Sequence, residues 1–394
     1  MIIYNKTWLN NLQVRKRAIL WLNRELITEE EKQKVFEAKP VGFYMPGFWM
    51  ALGLFFFTTI LIFASSGFVS LLVASTGASE EVVFQFFMLI FSGTCLIFAE
   101  KYKKEKHYFH AGTDNALLWA GLGALIGNVF WILLESGLHD EPVVIVGCLL
   151  ATGICSIATL RYADAFVALC GFAFGLTALF FIFGQLGTMG KAVIPFAGFG
   201  YSFGIYYYIK KRISEEGKVF YKDCLSIVEI AALLCAYLSV NYYVVRELSV
   251  EMFDLDLTDG QDIPFGLFFT FLTIAVPPGY IYLALKNKNR IMLRIGLLLI
   301  AASIFTIRYY HSVLPIETAL IVGGAILIGS SYFLIRWLNV PQFGFSIKEE
   351  KEEEGLLKAE SLIVAQTFAP AAVPSDTNQF GGGGFGGGGA NDTY

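Results

Sequence analysis

The segment Pro264–Leu285 contains no charged side chain and is apolar almost throughout, and about nine further blocks of similar character lie between Pro46 and Leu338. Roughly 20 apolar residues at about 1.5 Å each cross a hydrocarbon core about 30 Å thick. Inside lipid, each backbone N–H and C=O has to find its partner within the protein, which leaves helices or closed barrels. Blocks of this length specify helices. The expectation is an all-α integral membrane protein, a bundle of about ten transmembrane helices. Composition agrees: 56 % of residues are hydrophobic and 37 are phenylalanine, whereas soluble domains are about 45–50 % apolar.

The expected spans are 47–70, 82–99, 115–134, 142–160, 164–184, 192–209, 224–245, 264–285, 291–307 and 316–338. Three regions result: 1–40, a polar leader; 41–340, the polytopic domain; and 341–394, a charged and then glycine-rich tail. The first span has apolar sequence enough to run past residue 70. The connection from Arg161 to Asp164 is so short that the fourth and fifth spans form a tight helical hairpin. No short apolar stretch with a small-residue cleavage site precedes the spans, so no cleaved signal is expected.

The net charge of −4 conceals a segregation of sign along the chain. With the amino terminus cytosolic, all but three of the 29 lysines and arginines fall on the inner side, the exceptions being Lys191, Arg246 and Arg308. The opposite loops are acidic, with Glu135, Asp140 and Glu141 in one and Asp254, Asp256 and Asp259 in another. The positive-inside rule therefore places both termini in the cytosol. The exposed lysines read as topology and contact with anionic lipid, and no nucleic-acid partner is expected.

In the leader, Ile19, Leu20, Leu22 and Leu26, then Val35 and Phe36, recur at helical spacing. Thr28 followed by Glu31 fits a capping box that starts a second helix. Two amphipathic helices joined near Ile27 and Thr28 follow, able to pack together, lie on the inner leaflet or dock a partner. The stretch LNRELITEEEKQKVF ahead of a large bundle resembles a family of predicted bacterial membrane proteins known only as a domain of unknown function. That resemblance implies a cytosolic helical hairpin before the spans and no known chemistry. The chain ends FGGGGFGGGGANDTY, with Phe380 and Phe385 set in glycine too flexible to fold alone. This ending resembles the glycine-rich C-termini of TPM-domain envelope proteins, although Tyr394 stands where a tryptophan is usual.

Ionisable and strongly polar groups inside a span are the first candidates for function. Glu229 is the deepest acid, Arg294 enters the ninth span, Glu317 opens the tenth, and Asn128 is the main polar side chain in a central third. Pro277, Pro278 and Gly279 interrupt the eighth span, and the missing amide frees carbonyls near Thr273 and Ile274. Gly123 with Gly127, and Gly171 with Gly175, match GxxxG and predict close helix approach, within the chain or in a homo-oligomer.

The six cysteines lie in or beside apolar blocks, which predicts packing rather than a disulfide framework or redox site. His107 and His110 have no ligand set around them, and His139 with Asp140 and Glu141 reads as a solvated loop, so neither metal nor cofactor is expected. No HExxH, GxSxG, P-loop or dinucleotide fingerprint is present, which leaves the enzyme question open without a positive motif, a lipid-modifying enzyme standing third behind the two readings below.

Two functions rank first. One is an inner-membrane scaffold or assembly partner in the bacterial envelope, binding through Trp21, Leu22, Leu26 and Phe36 of the hairpin and Phe380 and Phe385 of the tail. The other is a transporter or channel for a neutral or amphipathic solute, using the 277–279 segment, Asn128 and Glu229.

Overall fold

The computed structural model describes residues 2–75, 80–137, 140–213, 220–251 and 263–310, together with isolated helical positions at 321, 325, 328, 329, 332 and 336. Apart from those isolated positions, the expected tenth span with its Glu317 lies outside the described residues, as do His139, most of the acidic 247–262 segment and the whole glycine-rich tail. Twelve helices are described: α1 Lys6–Asn23, α2 Glu29–Ala38, α3 Phe48–Ala74, α4 Glu80–Glu105, α5 Thr113–Glu135, α6 Asp140–Tyr162, α7 Ala165–Gly184, α8 Gly187–Ile213, α9 Lys222–Val240, α10 Tyr242–Glu251, α11 Gly266–Lys286 and α12 Arg290–Tyr310. No strand occurs among the described residues; Tyr44 and Tyr108 form one isolated bridge.

Eight of these helices, α3–α7, α9, α11 and α12, are long and apolar enough to cross a membrane. The expected sixth span falls on α8, which has the length but also carries Lys191 and the Lys210–Lys211–Arg212 run. Phe56, Phe57 and Phe63 of α3 and Leu267 of α11 face outward, and such large apolar side chains recur around the bundle. A soluble protein does not expose patches of this size, whereas lipid accepts them.

The helices pair as antiparallel hairpins, α4 with α5, α6 with α7, α8 with α9 and α11 with α12. Three buried clusters form among the described residues. The smallest gathers Val240, Tyr242, Val245, Ile263 and Phe269 at the end opposite the basic loops, and the two larger ones lie between the pairs. One joins α4–α7 through Leu118, Leu122, Ala158 and Val167. The other gathers Phe172, Leu233, Tyr237, Tyr280 and Leu299 from α7, α9, α11 and α12. Helix α7 belongs to both, and α9 is central to the second. The end of the bundle that carries 100–112, 160–164 and 286–290, rich in lysine and arginine, is called the basic end below.

Local sequence explains the terminations. Asp164 caps α7 by accepting from the Val167 amide at 2.9 Å, and Ala163 takes a left-handed conformation, which closes the α6–α7 hairpin in two residues. The expected capping box is present: the Glu31 amide donates to the Thr28 hydroxyl and the Thr28 amide to the Glu31 carboxylate. The expected seventh span stops short of residue 245. Asn241 accepts from the Val244 amide, ending α9 at Val240 and starting α10 as a separate helix.

Candidate functional site

The most deeply buried charges lie at the basic end. Lys103, in the last turn of α4, reaches across to Asp114 in the first turn of α5, and the pair is 1 % and 0 % exposed. The connection between them turns back through left-handed residues at His107, His110 and Gly112. Gly112 combines φ +96° with backbone contact so close that an added Cβ would lie 2.0 Å from the Ala51 carbonyl oxygen. No other residue type suits that position. The Ala111 amide donates to the second Asp114 oxygen at 2.9 Å, so both carboxylate oxygens are engaged.

The amino-terminal segment covers this pair. The Lys103 ammonium lies 5.6 Å from the centre of the Tyr4 ring, and the Ile3 amide donates to the Arg161 carbonyl at 2.9 Å. Tyr4 in turn packs edge-on against Phe109, while Phe43 stacks on Phe109 and Trp8 meets His107. Asp164, also buried, accepts from the Trp119 indole at 3.3 Å. Burial pushes the Tyr4 phenol up to about 12, and burial with the nearby Lys103 charge holds His110 below the usual imidazole value. Sequence reading took 101–106 as a solvated topology signal and passed over Asp114. The available signal was a lysine in the last turn of one helix and an acid in the first turn of the next, joined by a short loop.

The residues expected to matter are placed as follows. Glu229 is buried and accepts from the Asn289 side-chain amide at 2.8 Å; the same Asn289 caps α12 through the Ile291 and Met292 amides. Asn128 is buried and donates to the Gln85 carbonyl at 3.0 Å. Its neighbouring cavity of about 230 Å³ is lined by α4 and α5, and Glu229 and the 277–279 segment are not part of it. Arg294 is half-buried. Helix α11 stays helical through Pro277 and Pro278, with Pro277 buried and Pro278 and Gly279 toward the outside. The helix is continuous across both prolines, with neighbouring bonds around them: Tyr280 donates to the Leu233 carbonyl at 3.1 Å, and the Thr273 hydroxyl bonds both the Phe269 carbonyl and the Tyr242 amide. The prolines supply no amide to the carbonyls of Thr273 and Ile274.

A second polar cluster went unread in the sequence. Asn241, 2 % exposed, donates to the Tyr237 hydroxyl at 2.9 Å and to Thr306 at 3.1 Å, tying α9 to α12 at the end opposite the ion pair. The glycines divide. Gly121 packs against Leu96 and Gly171 against Cys155, as expected for close approach, but nothing lies within 4 Å of a Cβ built on Gly123 or Gly127.

The hairpin is fixed at its root and bare at its tip. Asn11 donates to the Pro40 carbonyl, and Arg15 to the carbonyls of Lys39 and Phe36 while lying 4.8 Å over the Phe36 ring. Toward the turn, Trp21 is 45 % and Leu26 66 % exposed, with Leu22 half-buried between them. The tail residues Phe380 and Phe385 lie outside the described residues.

An all-helical bundle with eight apolar helices of bilayer length and an apolar exterior defines a multi-pass membrane protein. Compared with protein-family models, curated proteins and solved structures, the chain has no match. The resemblances of the leader and tail therefore rest on their short motifs alone.

Proposed function

We propose that the chain is a scaffold or assembly partner of the bacterial inner membrane, with about ten spans, both termini in the cytosol and the α1–α2 hairpin as its docking arm. The observation that carries this reading is the hairpin itself. Its root is bonded to the bundle through Ile3 and Tyr4, while Trp21 and Leu26 are left bare at the tip. A rigidly mounted apolar tip costs little ordering entropy on binding, which favours a protein partner. The orientation follows from the charge bias along the sequence. The glycine-rich tail, with Phe380 and Phe385, is proposed as a second attachment point on the cytosolic side.

The transport reading has less support. Asn128 sits on α5, Glu229 on α9 and Pro278 on α11, each with its own local partners or packing, and the cavity beside Asn128 contains neither of the others. Asn128, Glu229 and Asn241 each bond a neighbouring helix or the turn that leads into it.

The test is purification in native lipid nanodiscs, read by mass spectrometry, of three forms: full length, Trp21→Ser with Leu26→Ser, and a chain ending at Val373. A stoichiometric partner lost in either altered form supports the reading. A protein that purifies alone in all three contradicts it.

A further inference from the structure

Where the α6–α7 hairpin meets the α8–α9 hairpin, a cleft of about 480 Å³ opens in the half of the bundle nearest the basic end. Ser156 and Leu160 of α6 form one wall, Ile205 and Tyr208 of α8 the other, with Gly171 of α7 and Val228 of α9 between them. Ser156, Leu160 and Tyr208 are exposed, so the cleft opens on the outer face of the described bundle. From Thr152 to Leu160 it runs about 12 Å along α6, close to the ~15 Å depth of one leaflet's hydrocarbon.

The chemistry of the walls selects the occupant. Thr152, Ser156 and Thr159 each donate to a carbonyl four residues back in α6, at 2.7–2.8 Å. Tyr201 donates to the Phe172 carbonyl at 3.1 Å, and Tyr221 to the Leu160 carbonyl at 2.7 Å. With these protons given to the protein, the hydroxyls can still accept but no longer donate, so the walls replace few of the hydrogen bonds a polar solute leaves in water. A hydrocarbon chain gives up none. Neither lysine lines the cleft itself, but two lie next to its basic end: Lys211 is one turn beyond the lining Tyr208 on the same face of α8, and Lys222 opens α9 between Asp223 and the lining Tyr221. Both are exposed. Lysines at this depth attract anionic headgroups.

We propose that the cleft is a specific site for an anionic phospholipid, one acyl chain lying between α6 and α8 and the headgroup phosphate against Lys211 and Lys222. This inference is independent of the scaffold reading, since it needs neither the hairpin nor a partner.

The test uses full-length protein equilibrated with equimolar phosphatidylglycerol and phosphatidylethanolamine in mild detergent, with retained lipid counted by native mass spectrometry. One lipid per chain is expected, with phosphatidylglycerol preferred by about tenfold. Ser156→Phe, which fills the cleft from an exposed position, lowers occupancy by about tenfold. Lys211→Glu with Lys222→Glu, both exposed, keeps the fold and brings the two lipids to parity. Leu149→Phe, elsewhere on the lipid-facing side of α6, changes neither number. A graded lipid number that Ser156→Phe leaves untouched would overturn the proposal, and so would a phosphatidylglycerol preference that survives charge reversal. Retention of a neutral hydrophobic molecule in place of phospholipid would overturn it as well.

Discussion

Lys103 and Asp114 form an ion pair that is almost completely buried, although eleven residues and a sharply turned loop separate them in sequence. Their union closes the α4–α5 hairpin and gives the amino-terminal segment a fixed seat, because Tyr4 lies over the lysine. Desolvating two charges offsets most of their attraction, so the pair contributes alignment more than net stability.

Removing one partner leaves the other charge stranded. Asp114→Asn and Lys103→Met are each expected to destabilise the protein by about 3–5 kcal/mol, whereas Lys103→Met combined with Asp114→Leu recovers more than half of that loss. Thermal unfolding in a fixed detergent reads the difference. A double-variant loss equal to the sum of the two single losses would show that the residues contribute independently and would contradict the pairing.

Gly112→Ala is expected to cost about 1–3 kcal/mol or more from conformation alone, with the clash against Ala51 added. Gly123→Ala and Gly127→Ala have open space around the new methyl group and are expected to stay within about 0.5 kcal/mol. A thermal melt of the three variants side by side checks the contrast. A large loss at Gly127 would mean that this face is covered in the membrane.

Stability should depend on His110 in one direction. Burial, then the Lys103 charge, lowers its folded-state value, against an opposing pull from Asp164, Asp114 and Asp223. The unfolded chain therefore binds the proton more readily, so stability rises with pH through this window and falls as pH drops below about 6.5. His110→Asn, which tolerates the left-handed backbone there, should remove that step from a pH series of unfolding midpoints. An unchanged acid limb would place the sensitivity elsewhere.

Eight of the ten expected spans were legible because bilayer crossing demands long apolar helices, and hydropathy along the chain reports that demand directly. The Thr28–Glu31 box and the tight turn at Asp164 were legible because capping is a local affair. The Lys103–Asp114 pair was not, since a lysine near a span end carries the same sequence signature whether it marks topology or folds back under a loop. Asn241 was hidden for a related reason. An asparagine within an apolar run looks like a tolerated polar residue until its bonds to Tyr237, Thr306 and Val244 show that it ends one helix and begins another. Pro277 and Pro278 are ambiguous in the opposite sense: the dipeptide removes two amides, yet α11 continues as a helix through it with Pro277 and Tyr280 buried.

The most direct test of the docking arm is site-specific photo-crosslinking in living cells from position 21 and from position 26, with position 60 on the outward face of α3 as the control. The account predicts one protein adduct of the same mass from both hairpin positions and none from position 60. Lipid adducts alone, or no adduct, from positions 21 and 26 would contradict it.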